Sequence, residues 1–252
     1  MTATRELEGK VAIVTGEGRN IGRAIALMLA EIGASILVNV RSNRSEAEAV
    51  AGEIVAAGGK ALVHAGDVAD VRATQAMADA ALARFGRIDI LVNNAALRRE
   101  KSFAEMDYAE WREILDVTLD GAFHCTKACL PALRNSGAGT IVNIGGLSAH
   151  TGARNRAHVI TAKAGIVGLT RALASDLAAD GITVNCVVPG LIGTPRPKGQ
   201  PEPAHHLTHQ TLTGARGKPE DVAATVRFLC GPGARYITGQ AIHANGGAYL
   251  GA

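Results

Sequence analysis

Short apolar runs rich in β-branched residues alternate with stretches of helical periodicity along almost the whole chain, and this alternation limits the fold more than any other feature. The runs have no regular polar positions, which is typical of strands that are covered on both faces. Parallel strands need helical crossovers between them. The pattern therefore predicts an α/β fold in which one doubly wound, parallel, seven-stranded sheet carries helices on both faces.

The expected strands are residues 11–14, 35–40, 61–64, 88–92, 140–144, 182–188 and 241–243. The expected helices are residues 21–32, 45–57, 72–85, 108–133, 158–179 and 219–230, with Ser45 as the N-cap of the second. No linker interrupts the alternation, so residues 1–252 are predicted to form a single domain. Residues 190–218 are rich in proline, which argues against a helix through the first half of this segment.

Composition argues against several classes of protein. The net charge is only +3 and no run of five basic residues occurs, so nucleic-acid binding is not expected. No apolar run reaches the length that spans a bilayer, and the first residues do not resemble a secretory signal, so we expect a cytoplasmic protein without membrane contact. Cys125 and Cys129 share a helix face and predict core packing. His205, His206 and His209 have no accompanying carboxylate or cysteine, so no metal site is predicted.

A glycine-containing turn, Thr-Gly-Glu-Gly-Arg-Asn-Ile-Gly at residues 15–22, joins the first expected strand to the first expected helix. Gly16 permits a turn with positive φ, and Gly22 lets the helix pack close to the strand. The N–H groups at the start of the helix are then free to bind a pyrophosphate. A turn of this kind in this position predicts a Rossmann-type dinucleotide site.

Charge after the second strand favours one cofactor over another. Sites specific for NAD place an acid there to bind the ribose hydroxyls. This chain instead continues as Arg-Ser-Asn-Arg, with no acid before Glu46. Arg41 offers two parallel donors to a 2′-phosphate, and Arg19 in the glycine turn adds a second cation. NADP(H) is therefore predicted in preference to NAD(H).

The segment His-Val-Ile-Thr-Ala-Lys at residues 158–163 resembles the Tyr-x-x-x-Lys signature of the short-chain dehydrogenase/reductase family, with Val159 in the tyrosine position. The glycine turn is similar to the family's Thr-Gly-x-x-x-Gly-x-Gly, with Asn20 for the middle glycine. Residues 67–68, 93–96 and 189–194 are also similar to family segments, so the resemblance covers about residues 7–250. It implies a 3-oxoacyl-ACP-reductase-like oxidoreductase, a small-molecule substrate, a substrate loop at about 190–218, and a homotetramer or homodimer.

The resemblance and the charge argument together give a set of cofactor-binding residues. These are Gly16, Arg19, Asn20, Ile21, Gly22, Arg41, Ser42, Asp67, Val68, Asn93, Ala95, Lys163, Pro189, Gly190, Ile192 and Thr194. Asparagine tolerates left-handed backbone geometry better than most residues, so the turn can keep its shape at Asn20.

The same resemblance implies an Asn-Ser-Tyr-Lys catalytic set, of which three members are substituted. Thr118 stands for the asparagine, Gly146 for the serine and Val159 for the tyrosine, and Lys163 remains. Loss of a general acid costs ~10²–10⁴ in rate, and loss of an oxyanion donor about 10²–10³. Ser148 could replace the serine only if its loop shifted. His158, which adjoins the tyrosine position, is the first candidate for a replacement acid, although neighbouring helical side chains point about 100° apart.

Three functional hypotheses remain open from the sequence. The first is an NADP(H)-dependent oxidoreductase that acts on a carbonyl or alcohol with a non-standard acid. The second is a catalytically degenerate protein that binds the cofactor, and the third is a lyase, isomerase or hydratase that reuses the pocket. Gly145, Gly146 and Val159 predict a wider and less polar substrate pocket than the family's usual one.

Overall fold

A computed structural model describes residues 5–16, 18–194, 206 and 210–251. Seven parallel strands form one sheet in the order β3-β2-β1-β4-β5-β6-β7, and helices cover both of its faces. The predicted α/β, doubly wound, Rossmann-type fold is therefore confirmed. The strands are β1 Val11–Thr15, β2 Ser35–Val40, β3 Lys60–Ala65, β4 Ile90–Asn93, β5 Thr140–Ile144, β6 Thr183–Pro189 and β7 Ala241–Ala244.

Most helices of the described residues begin and end close to the expected positions, and one short helix, residues 148–151, was not predicted. The helices are α1 Asn20–Glu31, α2 Arg44–Ala56, α3 Val71–Phe85, α4 Tyr108–Leu115, α5 Gly121–Asn135, α6 Ser148–Thr151, α7 Ala157–Asp176 and α8 Pro219–Cys230, with 3₁₀ turns at Ala178–Asp180 and Pro232–Ala234. A π-helical segment, Asp116–Asp120, connects α4 to α5.

Two apolar layers hold the sheet between the helices. Along β1, Ala12 and Val14 pack into the layer that includes residues of α1 and α8, whereas Ile13 packs into the layer of α3 and α5. Successive strand residues point to opposite faces, so a strand with a core on both sides must be apolar throughout. All five residues of β1 are buried.

Two sequence expectations about helices were wrong in detail. The second helix begins one residue earlier than expected, and Asn43 is its N-cap in place of Ser45. The Asn43 side chain accepts a hydrogen bond from the Glu46 N–H at 3.5 Å. The expected continuous helix 108–133 is instead interrupted by the π-helical segment, which Arg112 spans through ion pairs to Asp116 and, at 2.7 Å, to Asp120.

Strand order determines where a ligand can bind. The chain leaves β1 toward β2 on one side, and β4 lies against β1 on the other. The loops that follow β1 and β4 therefore run in opposite directions from adjacent strand ends. Open α/β sheets bind ligands in the crevice that this reversal leaves at the carboxyl ends of the strands.

Candidate active site

A cleft of about 410 Å³ opens at this reversal. Its walls come from the turn after β1, the ends of β2 and β3, the segment after β4 and the π-helical segment. The described residues that line it are Gly16, Arg19, Asn20, Ile21, Gly22, Asn39, Arg41, Gly66, Asp67, Val68, Asn94, Ala95, Ala96, Leu97, Arg98, Val117 and Thr194. Ten of the predicted cofactor-binding residues are among them.

Backbone geometry at the glycine turn excludes most side chains. Gly16 has φ +67°, and a Cβ added there would lie 2.7 Å from the Cα of Ala95. Asn20 has φ +53°, which is the left-handed geometry expected where the family has glycine. Arg19 is extended and exposed, and α1 begins immediately after it. The turn therefore presents the start of α1 and a guanidinium to the cleft.

Hydrogen bonds join the loops after β1 and β4. The Thr15 Oγ1 accepts from the backbone N–H groups of Asn94 and Ala95, each at 3.1 Å. The Asn94 Nδ2 donates to the carbonyl oxygens of Thr15 at 2.9 Å and Gly16 at 3.0 Å. These contacts fix the distance between the two walls of the cleft.

Asn93, which the resemblance implicated, lies in the core. Its Nδ2 donates to Asn143 Oδ1 at 2.9 Å and to Thr126 Oγ1 at 3.4 Å, and Asn94 lines the cleft instead. A strand alternates its faces, so the two asparagines must point in different directions. The sequence shows both asparagines but does not show which of them lines the cleft.

The end of the cleft formed by the glycine turn and the residues after β2 carries both positive and negative side chains. Arg19 and Arg41 are exposed and line it, and Ser42 is exposed beside Arg41 without lining it. Glu46 turns toward the glycine turn, because a Cβ added to Gly18 would lie 2.9 Å from a Glu46 carboxylate oxygen. Two guanidiniums and the start of a helix suit the phosphates of a dinucleotide, whereas Glu46 opposes an extra phosphate.

The remaining predicted contacts lie along β3 and beyond β6. Asp67 and Val68 line the cleft, and the Asp67 carboxylate accepts from the Ala69 N–H at 3.0 Å. Thr194 also lines it. Pro189, Gly190 and Ile192 do not. A Cβ added to Gly190 would lie 2.6 Å from the Asn245 Cα, which makes this a site of close backbone packing. Residues 195–205 and 207–209 of the expected substrate loop, with His205 and His209, lie outside the described residues.

Lys163 is buried in α7 and does not line the cleft. Its side chain is 6% exposed, and its Nζ donates to the Ile144 carbonyl oxygen at 2.5 Å. Burial, followed by the positive charge of Arg98, lowers the pKa of Lys163 from 10.5 to about 7. An amine with this pKa can accept and release a proton near neutral pH.

The three positions that the resemblance gives as substituted supply less polarity than the family's residues would. A Cβ added to Gly146 would have only the Lys163 Cγ within 4 Å, at 3.8 Å, so space is open where a serine side chain would lie. Val159 is buried among Ile114, Leu115 and Ala162. Thr118 is buried in the π-helical segment, and its hydroxyl has no hydrogen-bond partner in the described part of the chain.

Among the described residues, the hydrogen bond of the Lys163 Nζ goes to the Ile144 carbonyl oxygen and not to Ser148 or His158. The Ser148 hydroxyl lies at the start of α6 and makes no hydrogen bond to Lys163 there. His158 is buried, and among the described residues its Nδ1 has no hydrogen-bond partner. Burial lowers the pKa of His158, and the charges that also act on this pKa belong to Arg156, Glu110 and Arg99. Glu110 is in α4, so His158 lies toward that helix.

Sequence reasoning missed Arg98 and a cluster of three aromatic rings. Arg98 lines the cleft, and the rings of His150, His243 and Tyr249 form a cluster with centroid distances of 4.6, 5.4 and 5.1 Å. Burial lowers the pKa of both histidines. Arg98 comes two residues after the Asn-Asn-Ala-Ala segment that begins at the end of β4, and this closeness in sequence was a usable signal. The ring cluster brings together residues from distant segments, and no pattern in the sequence indicated it.

The described part of the chain has neither a metal-binding cluster nor a membrane-spanning helix. Among the described residues, no group of three or more histidine, cysteine, aspartate or glutamate side chains is arranged to hold a metal ion. No helix among them has both the length and the apolar character that a membrane span requires.

Comparison with known proteins gives the family. Residues 16–249 match the family model described as enoyl-(acyl carrier protein) reductase. The 3-oxoacyl-(acyl-carrier-protein) reductase FabG of Staphylococcus aureus is 40% identical over 245 residues, 96% of this chain and 98% of that protein. The chain belongs to the short-chain dehydrogenase/reductase family. A Synechocystis 3-oxoacyl-(acyl-carrier-protein) reductase is 39% identical over 97% of this chain and 98% of that protein.

Solved structures of the short-chain dehydrogenase/reductase family agree with this fold over nearly its whole length. A dehydrogenase/reductase from Sinorhizobium meliloti superposes with a TM-score of 0.92 at 33% identity, and covers 99% of each chain. A short-chain dehydrogenase/reductase mutant from Serratia marcescens gives 0.90 at 35% identity, over 97% of this chain and 100% of that one. The 3-oxoacyl-ACP-reductase-like resemblance that the sequence motifs indicated is therefore confirmed.

Proposed function

We propose that this protein is an NADP(H)-dependent oxidoreductase that acts on a carbonyl or alcohol substrate, with Lys163 as its proton donor and acceptor. The observation that carries the proposal is a buried amine with a pKa of about 7 beside the open space at Gly146. The names of the similar reductases support carbonyl reduction. The cleft at the β1–β4 reversal supports a dinucleotide.

The proposed roles fall into two regions, which are the cofactor end, formed by the cleft, and the catalytic end at Lys163. NADPH supplies a hydride when bound. Arg19 and Arg41 bind its phosphates, and Gly16 and Asn20 keep the turn open to them. At the catalytic end, which does not line the cleft, the Ile144 carbonyl oxygen accepts one Nζ proton of Lys163 and orients the amine. A substrate oxygen that enters the space beside Gly146 can receive another of these protons.

The pKa of Lys163 suits this role. General acids work best when their pKa lies near the operating pH, because enough of the acid form is then present and it still gives up its proton readily. An ordinary lysine, with a pKa of 10.5, is a poor donor at pH 7. Here burial and the nearby positive charge of Arg98 lower the pKa of Lys163 into this range. Reduction is then expected to slow as the pH rises above about 7, because the amine loses its proton.

The test is NADPH oxidation over a panel of aldehydes and ketones, with the pH profile of kcat/KM for each active substrate. We expect turnover by the wild type and a loss of ~10²–10⁴ in Lys163→Met. Calorimetry should show that the variant still binds NADPH. A rate that stays constant between pH 6 and 9, or turnover that survives in Lys163→Met, would reject the role of Lys163.

A second candidate is a cofactor-binding protein without turnover. Val159 packs fully into an apolar cluster, and no hydroxyl replaces the tyrosine there. The triple variant Gly146→Ser, Val159→Tyr, Thr118→Asn distinguishes the two candidates. Turnover by this variant and not by the wild type would favour the second candidate.

We also infer that the protein is a cytoplasmic homo-oligomer, either a dimer or a tetramer. Phe123 on α5, Phe228 on α8 and Tyr236 are large apolar side chains that are half or fully exposed in the single chain. Exposed aromatic groups of this kind are enriched at interfaces between subunits. Light scattering after size-exclusion chromatography would give the number of subunits, and a monomer at micromolar concentration would contradict the inference.

A further inference from the structure

The chain after β7 forms a turn, residues 245–249 (the C-terminal turn), that packs against the loop after β6. The carbonyl oxygen of Ala244, the last residue of β7, accepts a hydrogen bond from the Gly190 N–H at 3.0 Å. A Cβ added to Gly190 would lie 2.6 Å from the Asn245 Cα, so the two backbones are in direct contact. The position of the loop after β6 therefore depends on the position of the C-terminal turn.

The loop after β6 lies next to both parts of the candidate site. The Pro189 carbonyl oxygen accepts a hydrogen bond from the Leu147 N–H at 3.1 Å, and Leu147 directly follows Gly146 at the catalytic end. Further along the same loop, Thr194 lines the cleft. A displacement of the C-terminal turn would therefore reach both the space at Gly146 and the cofactor end.

The Asn245 side chain holds the C-terminal turn closed. Its Oδ1 accepts from the Gly247 N–H at 2.9 Å, and its Nδ2 donates to the Tyr249 carbonyl oxygen at 3.1 Å. A backbone donor and a backbone acceptor thus fix the orientation of the amide, because a reversed amide would lose both hydrogen bonds. The same Nδ2 lies 3.5 Å from the His243 Nδ1, and its second hydrogen is free to bond there.

The contact between Asn245 and His243 requires one protonation state of the imidazole. An amide nitrogen only donates hydrogen bonds, so the His243 Nδ1 has to accept and the imidazole proton is on Nε2. A second proton turns Nδ1 into a donor, and two N–H groups then face each other across 3.5 Å. The closed turn therefore selects the neutral form of His243.

A second imidazole, His150 of α6, also disfavours positive charge at this place. Its ring centroid lies 4.6 Å from that of His243, and the Tyr249 ring lies 5.4 Å and 5.1 Å from the two. The His150 Nε2 is buried and has no hydrogen-bond partner among the described residues. Burial lowers the pKa of His150, and the charge of Arg171 on α7 lowers it further. Burial, followed by the charge of His150, lowers the pKa of His243.

We propose that the C-terminal turn stays closed only while His243 and His150 are neutral, so that mild acid opens it and loosens both parts of the candidate site. Once the turn is open, both imidazoles return to the ordinary pKa of 6.5, so opening takes up protons below that pH. The turn is therefore closed most firmly above pH 6.5 and opens progressively as the pH falls toward the lowered pKa values.

Amide hydrogen exchange of the full chain, followed by mass spectrometry at pH 8 and pH 5.5, measures the opening of the turn. The Gly247 and Ala248 N–H groups bond within the turn, whereas those of Gly190 and Thr213 bond to Ala244 and Gly246 from outside it. After correction for the intrinsic effect of pH on exchange, we expect their protection to fall by about fivefold or more at pH 5.5. Peptides from β1 should keep their protection, since the opening is local.

Three variants separate protonation from packing. Asparagine offers an acceptor oxygen near the position of a histidine Nδ1 and does not titrate, so His243→Asn should keep its protection at both pH values. His150→Phe keeps an aromatic ring against His243 and removes one of the two charges, so it should lose part of the pH dependence. His64→Asn is the matched control, because burial also lowers the pKa of His64 on β3, and it should leave the pH response of the C-terminal turn unchanged.

Constant protection in the wild type, or an equal loss in the wild type and His243→Asn, would overturn the proposal. If His243→Asn does not fold, His150→Phe decides, and an undiminished pH dependence in that variant contradicts the proposal. The exchange experiment needs neither cofactor nor substrate, so its result stands whether or not the protein oxidises NADPH.

Calorimetric titration with NADP⁺ then tests the effect on the site. Between pH 8 and pH 5.5 the wild type should lose at least about threefold more affinity than His243→Asn, because its loop after β6 is released. Protonation of the cofactor itself is common to the two proteins and cancels in the comparison. An equal loss of affinity in both would overturn the link between the C-terminal turn and the site.

Discussion

The cofactor end and the catalytic end of the candidate site preserve different structural features. At the cofactor end the backbone is specified: Gly16 and Asn20 have positive φ, and hydrogen bonds from Thr15 and Asn94 join the walls. At the catalytic end the π-helical segment is in place, but the family resemblance implies that the side chains at 118, 146 and 159 are substituted. A site made by main-chain geometry survives as long as the fold does, whereas a site made by hydroxyl groups changes with single substitutions.

The largest expected effect concerns Lys163, the one member of the catalytic set that the resemblance retains. Its pKa is about 7 in the folded protein and about 10.5 when unfolded, so burial destabilises the fold below pH 7 and the penalty disappears as the pH rises to 10.5. Relative to Lys163→Met, the wild type should gain up to about 1.4 kcal/mol per pH unit in this window. Urea unfolding of both proteins from pH 6 to 10 measures the difference.

A difference that does not change with pH would mean that the buried amine is solvated or paired in solution. The catalytic end would then lack the titratable group that the proposed function requires. Groups shared by the two proteins cancel in this comparison, so other lysines and tyrosines do not affect it.

The next largest effect tests the cofactor end. Gly16→Ala should destabilise the protein by about 2–4 kcal/mol and abolish measurable NADPH binding, because a Cβ there meets the Ala95 backbone at 2.7 Å. Gly9 also has positive φ, +74°, but nothing lies within 4 Å of an added Cβ. Gly9→Ala therefore measures the cost of the backbone conformation alone, about 1 kcal/mol. If Gly16→Ala and Gly9→Ala lost similar amounts of unfolding free energy, the steric argument would be wrong.

Substitutions at two adjacent glycines test whether space is open at the catalytic end. A Cβ on Gly145 would lie 2.8 Å from the Cys186 sulfur, whereas one on Gly146 makes only an ordinary contact with Lys163. Gly145→Ser should cost about 1–3 kcal/mol in unfolding free energy and Gly146→Ser less than about 0.5 kcal/mol. Thermal unfolding measures both. A large loss in Gly146→Ser would show that the open space is absent in solution.

The smallest expected effect concerns cofactor choice. Arg41→Gln should weaken NADPH binding by about tenfold and leave NADH binding unchanged, because only the 2′-phosphate loses a partner. Glu46 lies near the glycine turn, so Glu46→Gln should improve NADPH binding by a few-fold, since exposed charges interact by about 0.2–1 kcal/mol. Fluorescence titration with both cofactors measures the two variants. Tighter NADH than NADPH binding by the wild type would reverse the assignment.

Much of the fold could be predicted from the sequence because the sheet is buried on both sides. Apolar runs identified all seven strands, with β2 and β5 at the observed bounds, and α8 also began and ended as expected. The π-helical segment was not predicted, since one extra residue in a helical turn needs no proline or glycine. The positive φ of Asn20 was expected from its place in the motif and from the chemistry of asparagine.

The site was less predictable than the fold. Motif positions gave the walls of the cofactor end, but Asn93 and Asn94 could not be distinguished without the strand's orientation. The segments that contain Arg98 and Arg156 are far apart in sequence and come together only in the folded chain, where the Lys101 N–H donates to the Asn155 carbonyl oxygen. Periodicity describes local structure, so contacts between distant loops leave no trace in it.

The hydrogen bonds that Thr15 and Asn94 make between the two loops have a consequence for the free energy of binding. Because they join the walls through the chain's own groups, a dinucleotide has little backbone to order when it enters. Less of the binding energy is then lost to conformational entropy. Saturation of the cleft should stabilise the folded protein by the amount that mass action alone dictates, so the melting temperature would act as a direct gauge of free cofactor concentration.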